Sequence, residues 1–211
     1  MNSMKAEMEQ WIQSRIDHVL TLDREHSRVT AAVLAQSVMK RWSTPGKAWS
    51  TLGLNVYDPV PQEQMIGNFR RGRILRRQPQ DMRDRWEYDL DARGRVLRAR
   101  CHCSEWLPRW GYEDNLLVPS AAENELTYLN YSLREGMPPW SDYFLVYRYD
   151  EQGRLERRLQ GAFRDSMRPT AEAQTFRWDD DRLSRMEEYI PPSEEPSLEN
   201  IVALRFLSKI K

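Results

Sequence analysis

Apolar residues near the start of the chain recur at three- and four-residue spacing: Met4, Met8, Trp11, Ile12, Ile16, Val19 and Leu20. That spacing sets them along one face of a helix, with Glu7, Glu9, Gln13 and Arg15 filling much of the remainder. A second helix is expected over 27–41, with Asp23 or Ser27 as its cap and Val29, Val33 and the Leu34-Ala35 pair as its apolar side. Thr44-Pro45-Gly46 ends it, so the two helices read as a hairpin laid against a sheet.

From Trp49 onward the period shortens to two. Leu52, Leu54 and Val56 share one face of a short strand closed by Pro59 and Pro61. Ile74-Leu75, inside the arginine-rich 70–77 stretch, reads as an edge strand or a loop. Hairpins are expected over 83–105, 142–164 and 175–190, and a strand over 126–133 that turns near Glu135-Gly136. A closing strand is expected over 201–207, beyond Pro191, Pro192 and Pro196, whereas Trp106 to Ser120 reads as irregular. The clearest alternation puts Tyr143, Leu145, Tyr147 and Tyr149 on one face and Phe144, Val146 and Arg148 on the other. Both faces are apolar over part of the length, which suits a central strand covered on one side by the helices. The pattern predicts an α+β fold: an N-terminal helical hairpin packed on a curved antiparallel β-meander of about seven to nine strands. The helical unit would occupy 1–48 and the sheet 49–211, together one compact domain.

One phrase recurs. Tyr88-Asp89-Leu90-Asp91-Ala92-Arg93-Gly94-Arg95-Val96 and Tyr147-Arg148-Tyr149-Asp150-Glu151-Gln152-Gly153-Arg154-Leu155 share aromatic, aspartate, glycine and arginine positions. Phe176 to Leu183 is a version without glycine. Asp91 and Asp150 are expected to accept hydrogen bonds from turn amides, and Gly94 and Gly153 to supply a positive φ. Arg95 and Arg154 would open the returning strands, with stems over an aromatic ring and wet guanidinium groups. The intervals between copies are unequal, which excludes a regular solenoid.

The phrase at 147–155 resembles the YD repeat of bacterial Rhs and related wrapping proteins. The 88–96 copy has Leu90 in place of the second aromatic, and 176–183 matches loosely. Shells of that family carry many more copies at regular spacing, so this chain is not such a shell. The phrase also occurs in small stand-alone β-rich bacterial proteins similar to immunity partners of secreted toxins. The resemblance implies hairpins and, for function, direct binding of a cognate toxin.

Composition narrows the chemistry. The 32 basic and 32 acidic residues cancel, which speaks against a general affinity for nucleic acid or anionic membrane. Charge is nevertheless uneven: 61–110 is rich in arginine and 171–200 is acidic, an arrangement that would orient a charged protein partner. All but five basic residues are arginine, and with 8 Trp and 9 Tyr this suits a protein interface. The same residues suit the outer face of a twisted sheet equally well. No apolar secretion or membrane-spanning segment is visible, so the chain reads as cytoplasmic.

Cys101-His102-Cys103 invites a metal or redox reading. On a strand, however, the thiols and the imidazole point to opposite sides, and no second ligand pair exists elsewhere. His102 and Glu105 lack the separated cysteine pair that a deaminase requires. Nucleophile elbows, phosphate loops and zinc-protease motifs are missing too. No cofactor, metal or catalytic residue is assigned, and the chain is read as a non-enzyme. Candidate partner contacts are the loop aromatics Trp106, Trp110, Tyr112 and Trp140 with the acidic residues Glu113, Asp114, Asp142, Asp179, Asp180 and Asp181. The expected function is a protein-binding module, most concretely an immunity protein against a bacterial toxin. Two alternatives stay open: a ligand-binding or enzymatic sheet with an aromatic pocket, and a nucleic-acid binder using the 70–109 arginines.

Overall fold

The computed structural model describes residues 2–46, 56–57, 59–60, 70–102, 112–133, 140–163 and 170–190. The strand expected over 201–207 lies outside them. So does the one expected over 52–56, except Val56, which sits in a turn.

Helix α1 (Asn2–Arg24) buries the stripe its sequence predicts, with Trp11, Ile12, Ile16 and Val19 all in the core. Helix α2 (His26–Leu34) buries Val29 and Val33. Only Glu25 separates the two, less than the roughly two to five residues that an antiparallel helical hairpin uses. The expected hairpin is therefore a bent helix pair. Neither expected cap is used: Glu25 holds the N-cap position, and its side chain makes no capping bond.

Helix α2 also stops well short of residue 41. The Gln36 and Ser37 amides donate back to Val33 and Leu34 at 3.1 and 3.0 Å, tightening the last turn. The Val38 amide then donates to the Leu90 carbonyl at 2.9 Å, and Met39–Ser43 becomes strand β1. Pairing decides the matter, because all five residues of β1 find partners on the hairpin strand 86–90. The Ser43 hydroxyl meets the Tyr88 hydroxyl at 2.9 Å in a buried contact, an arrangement a continuing helix could not make.

The remaining strands are β2 (Ile74–Leu75), β3 (Trp86–Leu90), β4 (Val96–Cys101), β5 (Tyr112–Val118), β6 (Glu125–Leu133), β7 (Trp140–Tyr149), β8 (Leu155–Ala162), β9 (Thr170–Asp179) and β10 (Arg182–Tyr189). They form one antiparallel sheet in the order β10-β9-β8-β7-β6-β5-β4-β3-β1-β2. The ten strands among the described residues exceed the seven to nine expected. The two edges, β10 and β2, do not pair with each other, so the sheet stays open.

Strand β5 corrects the irregular reading of 106–120 over Tyr112–Val118, whereas 106–111 lies outside the described residues. Asp114, Asn115, Leu116, Leu117 and Val118 are all buried, so no polar-apolar alternation marks the segment. Its polar members are held by neighbours: both Asp114 oxygens accept from Arg100, and Asn115 accepts from Asn130.

One face of the sheet packs on the helices. Leu116, Val118, Leu129, Phe144, Val146 and Leu159 meet Trp11, Ile12, Ile16, Val19, Val29 and Val33 there. Phe144 and Val146 thus lie on the covered side of an interior strand, as their alternation with the tyrosines predicts. The opposite face carries two smaller clusters. Trp86, Tyr88 and Ala99 gather under Tyr57, and Tyr147, Leu155 and Phe176 gather under Val60.

Both glycine-bearing phrases are tight reversals of one design. Asp91 Oδ1 accepts from the Arg93 and Arg95 amides at 2.8 and 2.9 Å, and the Gly94 amide donates to the Asp91 carbonyl at 3.0 Å. Asp150 repeats this with Gln152, Arg154 and Gly153 at 3.0, 2.8 and 3.0 Å. Gly94 and Gly153 both sit at φ +76°, where a Cβ is strained. The arginines add a bond that was not expected. Arg95 Nε and Arg154 Nε bond the aspartate of their own turn at 2.7 and 2.9 Å, so the guanidinium closes the reversal. Burial pushes the Asp91 and Asp150 carboxyls up, but bonds from the Arg95 and Arg154 amides and guanidinium groups outweigh it, leaving both below the usual range.

Asp150→Ala is expected to cost about 1–3 kcal/mol in urea unfolding, with Asp150→Asn milder because it keeps an acceptor for the turn amides. Equal losses for the two variants would refute the role given to those amides.

Candidate functional site

On the sheet face turned away from the helices, side chains enclose a hollow of about 430 Å³. Its walls are aromatic: Tyr57, Trp86, Tyr128, Tyr143, Tyr147 and Tyr149, with Leu126 and Leu145 between them. Strand register brings them together. Tyr128 lies opposite Leu145, Leu145 opposite Gln160, and Tyr147 opposite Arg158, so three neighbouring strands present one continuous row. The rings also brace one another, with Tyr128 and Tyr147 edge to face at 6.1 Å and Tyr57 and Tyr88 at 4.8 Å.

Polar groups mark the floor. The Tyr143 hydroxyl donates to Asn115 Oδ1 at 3.2 Å, and Asn130 Nδ2 donates to the same oxygen at 3.3 Å. Burial pushes the Tyr143 phenol above its usual range, so it stays a protonated donor near neutrality. Arg158 donates to Gln174 Oε1 at 3.2 Å and also to Gln160 Oε1. Glu113 and Cys101 also line it, with Pro59, Val96 and Ala99. This is a hydrogen-bonding set on an aromatic bed, suited to holding a partner group in a defined pose. Among the described residues no group of three or more His, Cys, Asp and Glu is placed to hold a metal.

The expected partner contacts do not form one surface. Glu113 lines the hollow, but Asp114 points to the other face, where Arg100 Nε and Nη2 hold it at 2.6 and 2.7 Å. Asp114 is therefore a buried ion-pair member and not an exposed anchor. Tyr112 opens β5 and Trp140 opens β7, and register places both at the same end of the sheet. Asp142 follows on β7. Asp179, Asp180 and Asp181 are exposed at the β9–β10 turn, roughly 30 Å away at 3.4 Å per residue along the strands. There Asp180 takes a φ of +49°, and its carbonyl accepts from Arg154 at 2.8 Å. Trp106, Trp110 and Cys103 lie outside the described residues. Cys101 and His102 lie on opposite sides as alternation requires: the thiol lines the hollow, and the imidazole sits 3.5 Å from Glu87 Oε2.

Sequence reasoning took the tyrosines of β7 for a strand face and did not join them to Tyr128, Asn115 and Arg158. The period-two tyrosines were the available signal. The register that completes the ring spans strands β3 to β8.

The covered face carries a second feature beside the helices, a ladder of charge across β1, β3, β4 and β5. Arg98 Nε donates to Asp89 at 2.7 Å, and Lys40 reaches Glu87 at 2.5 Å and Asp89 at 3.8 Å. Glu87 is lowered to about 2, first by the hydrogen bond with His102 and then by Lys40 and Arg98, against the opposing effect of burial. A depressed carboxyl stabilises the fold fully above its ordinary value of 4.5, and that contribution fades as pH falls toward 2. Melting temperature measured across that window should drop less steeply in Glu87→Gln than in the natural chain. Parallel curves for the two proteins would contradict the assignment.

No family model, curated protein or solved structure matches this chain.

Proposed function

We propose that this protein is a partner-binding module whose working surface is the aromatic face, and most concretely a cytoplasmic immunity protein that neutralises a cognate bacterial toxin by direct binding. The observation that carries the reading is the pairing of one helix-covered sheet face with an opposite face that holds a ring of six aromatic side chains around a hollow. Tyrosine, tryptophan and arginine supply most of the energy at protein interfaces, especially where they surround a desolvated centre. A protruding element of the partner would enter the hollow beside Tyr128 and Tyr149, with Asn115, Arg158 and Gln160 fixing its polar atoms. The resemblance of the hairpin phrase to those of toxin partners supports the biological setting. No described helix is long and apolar enough to cross a membrane.

The experiment pairs this chain with the product of the adjacent gene. Co-expression should rescue growth from that toxin, and the purified proteins should form a stoichiometric complex. Tyr149→Ala, at a half-buried ring of the hollow, should weaken binding by roughly 30-fold, about 2 kcal/mol, without unfolding the chain. Failure of both protection and complex formation would end the proposal.

The hollow also favours a second reading, because its volume lies within the range of small-molecule sites, about 300–1,000 Å³. In that case planar aromatic compounds with acceptor oxygens would raise the melting temperature, and Tyr149→Ala would abolish the shift.

A further inference from the structure

Where β1 meets β2 the sheet has a notch. Strand β2 pairs only with Trp42 and Ser43, so among the described residues Met39 to Arg41 have no neighbour on their outer side. Continuing the antiparallel ladder would set Arg76 against Arg41 and Arg77 against Lys40. Like charges directly opposite are destabilising, and the chain bends away at Arg76 and Arg77. The exposed large hydrophobics among the described residues are Val38, Met39 and Ile74, at 67%, 42% and 52%, and all three border this notch. Arg41, Arg73, Arg76 and Arg77 are exposed, and none pairs with a carboxylate of a described residue. Lys40, by contrast, is already held by Glu87.

We propose that the notch receives an extended acidic segment of a partner protein, which adds a strand beside Met39–Arg41. Its backbone would satisfy the open edge, and its carboxylates at alternate positions would meet Arg41, Arg76 and Arg77. Apolar side chains at the intervening positions of the same segment would cover Val38, on the face opposite Arg41. The repulsion that ends β2 becomes attraction once the inserted strand carries the opposite charge. Nucleic acid would satisfy the arginines but not the open backbone edge, which favours a peptide. The inference does not rest on the hollow, which lies elsewhere on the sheet.

The test uses a short fluorescent peptide alternating valine and glutamate, titrated against the full chain and followed by anisotropy. Binding should weaken with added salt, and fall roughly tenfold or more for a valine–glutamine peptide and for the triple variant R41E/R76E/R77E. Because these arginines are exposed, the variant should melt like the natural chain. N-methylation of alternate peptide nitrogens should abolish binding, whereas Tyr149→Ala should leave it unchanged. No measurable binding, equal binding of the glutamine or N-methylated peptide, or indifference to charge reversal would overturn the proposal. So would tighter binding of a single-stranded oligonucleotide that the triple variant abolishes.

Discussion

Replacing Glu125 with alanine is expected to destabilise the fold by about 3–5 kcal/mol, the usual loss when one partner of a buried ion pair is removed. The Glu125 side chain is 0% exposed and Arg15 only 14%. Arg15 Nε and Nη2 donate to its two oxygens at 2.8 Å each, and the Trp11 indole N–H donates to Oε1 at 3.0 Å. Alanine leaves a cation and an indole donor without their acceptor, and it removes a carboxylate that ties the covering helix to β6. Glu125→Gln keeps an acceptor for Trp11 and should lose less. Urea unfolding followed by tryptophan fluorescence measures both, and hydrogen exchange should rise across α1 in Glu125→Ala. A loss below about 1 kcal/mol would show that packing alone holds the helix.

Gly161→Val should cost about 3 kcal/mol, at the upper end for overpacking a core. Gly161 lies opposite Phe144 across β7 and β8. A Cβ there would stand 2.2 Å from Phe144 Cε1 and 2.3 Å from Cζ. The ring cannot swing aside, because Phe144 is fully buried and packs edge to face on Phe163 at 5.6 Å. The variant tests that geometry best in a double-mutant cycle. Phe144→Leu alone loses packing, but combined with Gly161→Val it should recover stability relative to Gly161→Val alone. Simple additivity of the two losses would mean that the ring does not occupy the space above the glycine.

Elements that announce themselves locally were readable from the sequence. The helical stripe from Trp11 to Val19, the alternating Tyr143 to Tyr149 and the aspartate–glycine reversals each carry their signal within about one or two turns of chain. Errors arose where distant partners decide the outcome. Met39 to Ser43 follows a helix without a breaker, and only β3 makes it a strand. Asp114 and Asn115 conceal β5 because their buried polarity is answered by Arg100, Asn130 and Tyr143 on other strands. The bonds from Arg95 and Arg154 were missed because the sequence does not reveal that the aspartate four residues earlier turns its second oxygen toward them. The hollow is harder still, since its wall combines residues from Tyr57 to Gln160.

The spatial order of β3 to β10 is also their order of synthesis, and this shapes how the chain acquires its structure. Each strand released by the ribosome finds its neighbour already present, so the meander can grow by accretion with few long-range searches. The covering helix is made first and waits, since Trp11 and Glu125 are 114 residues apart. Until then every partial product ends in a naked pairing strand, which makes truncated translation products of this chain prone to aggregate.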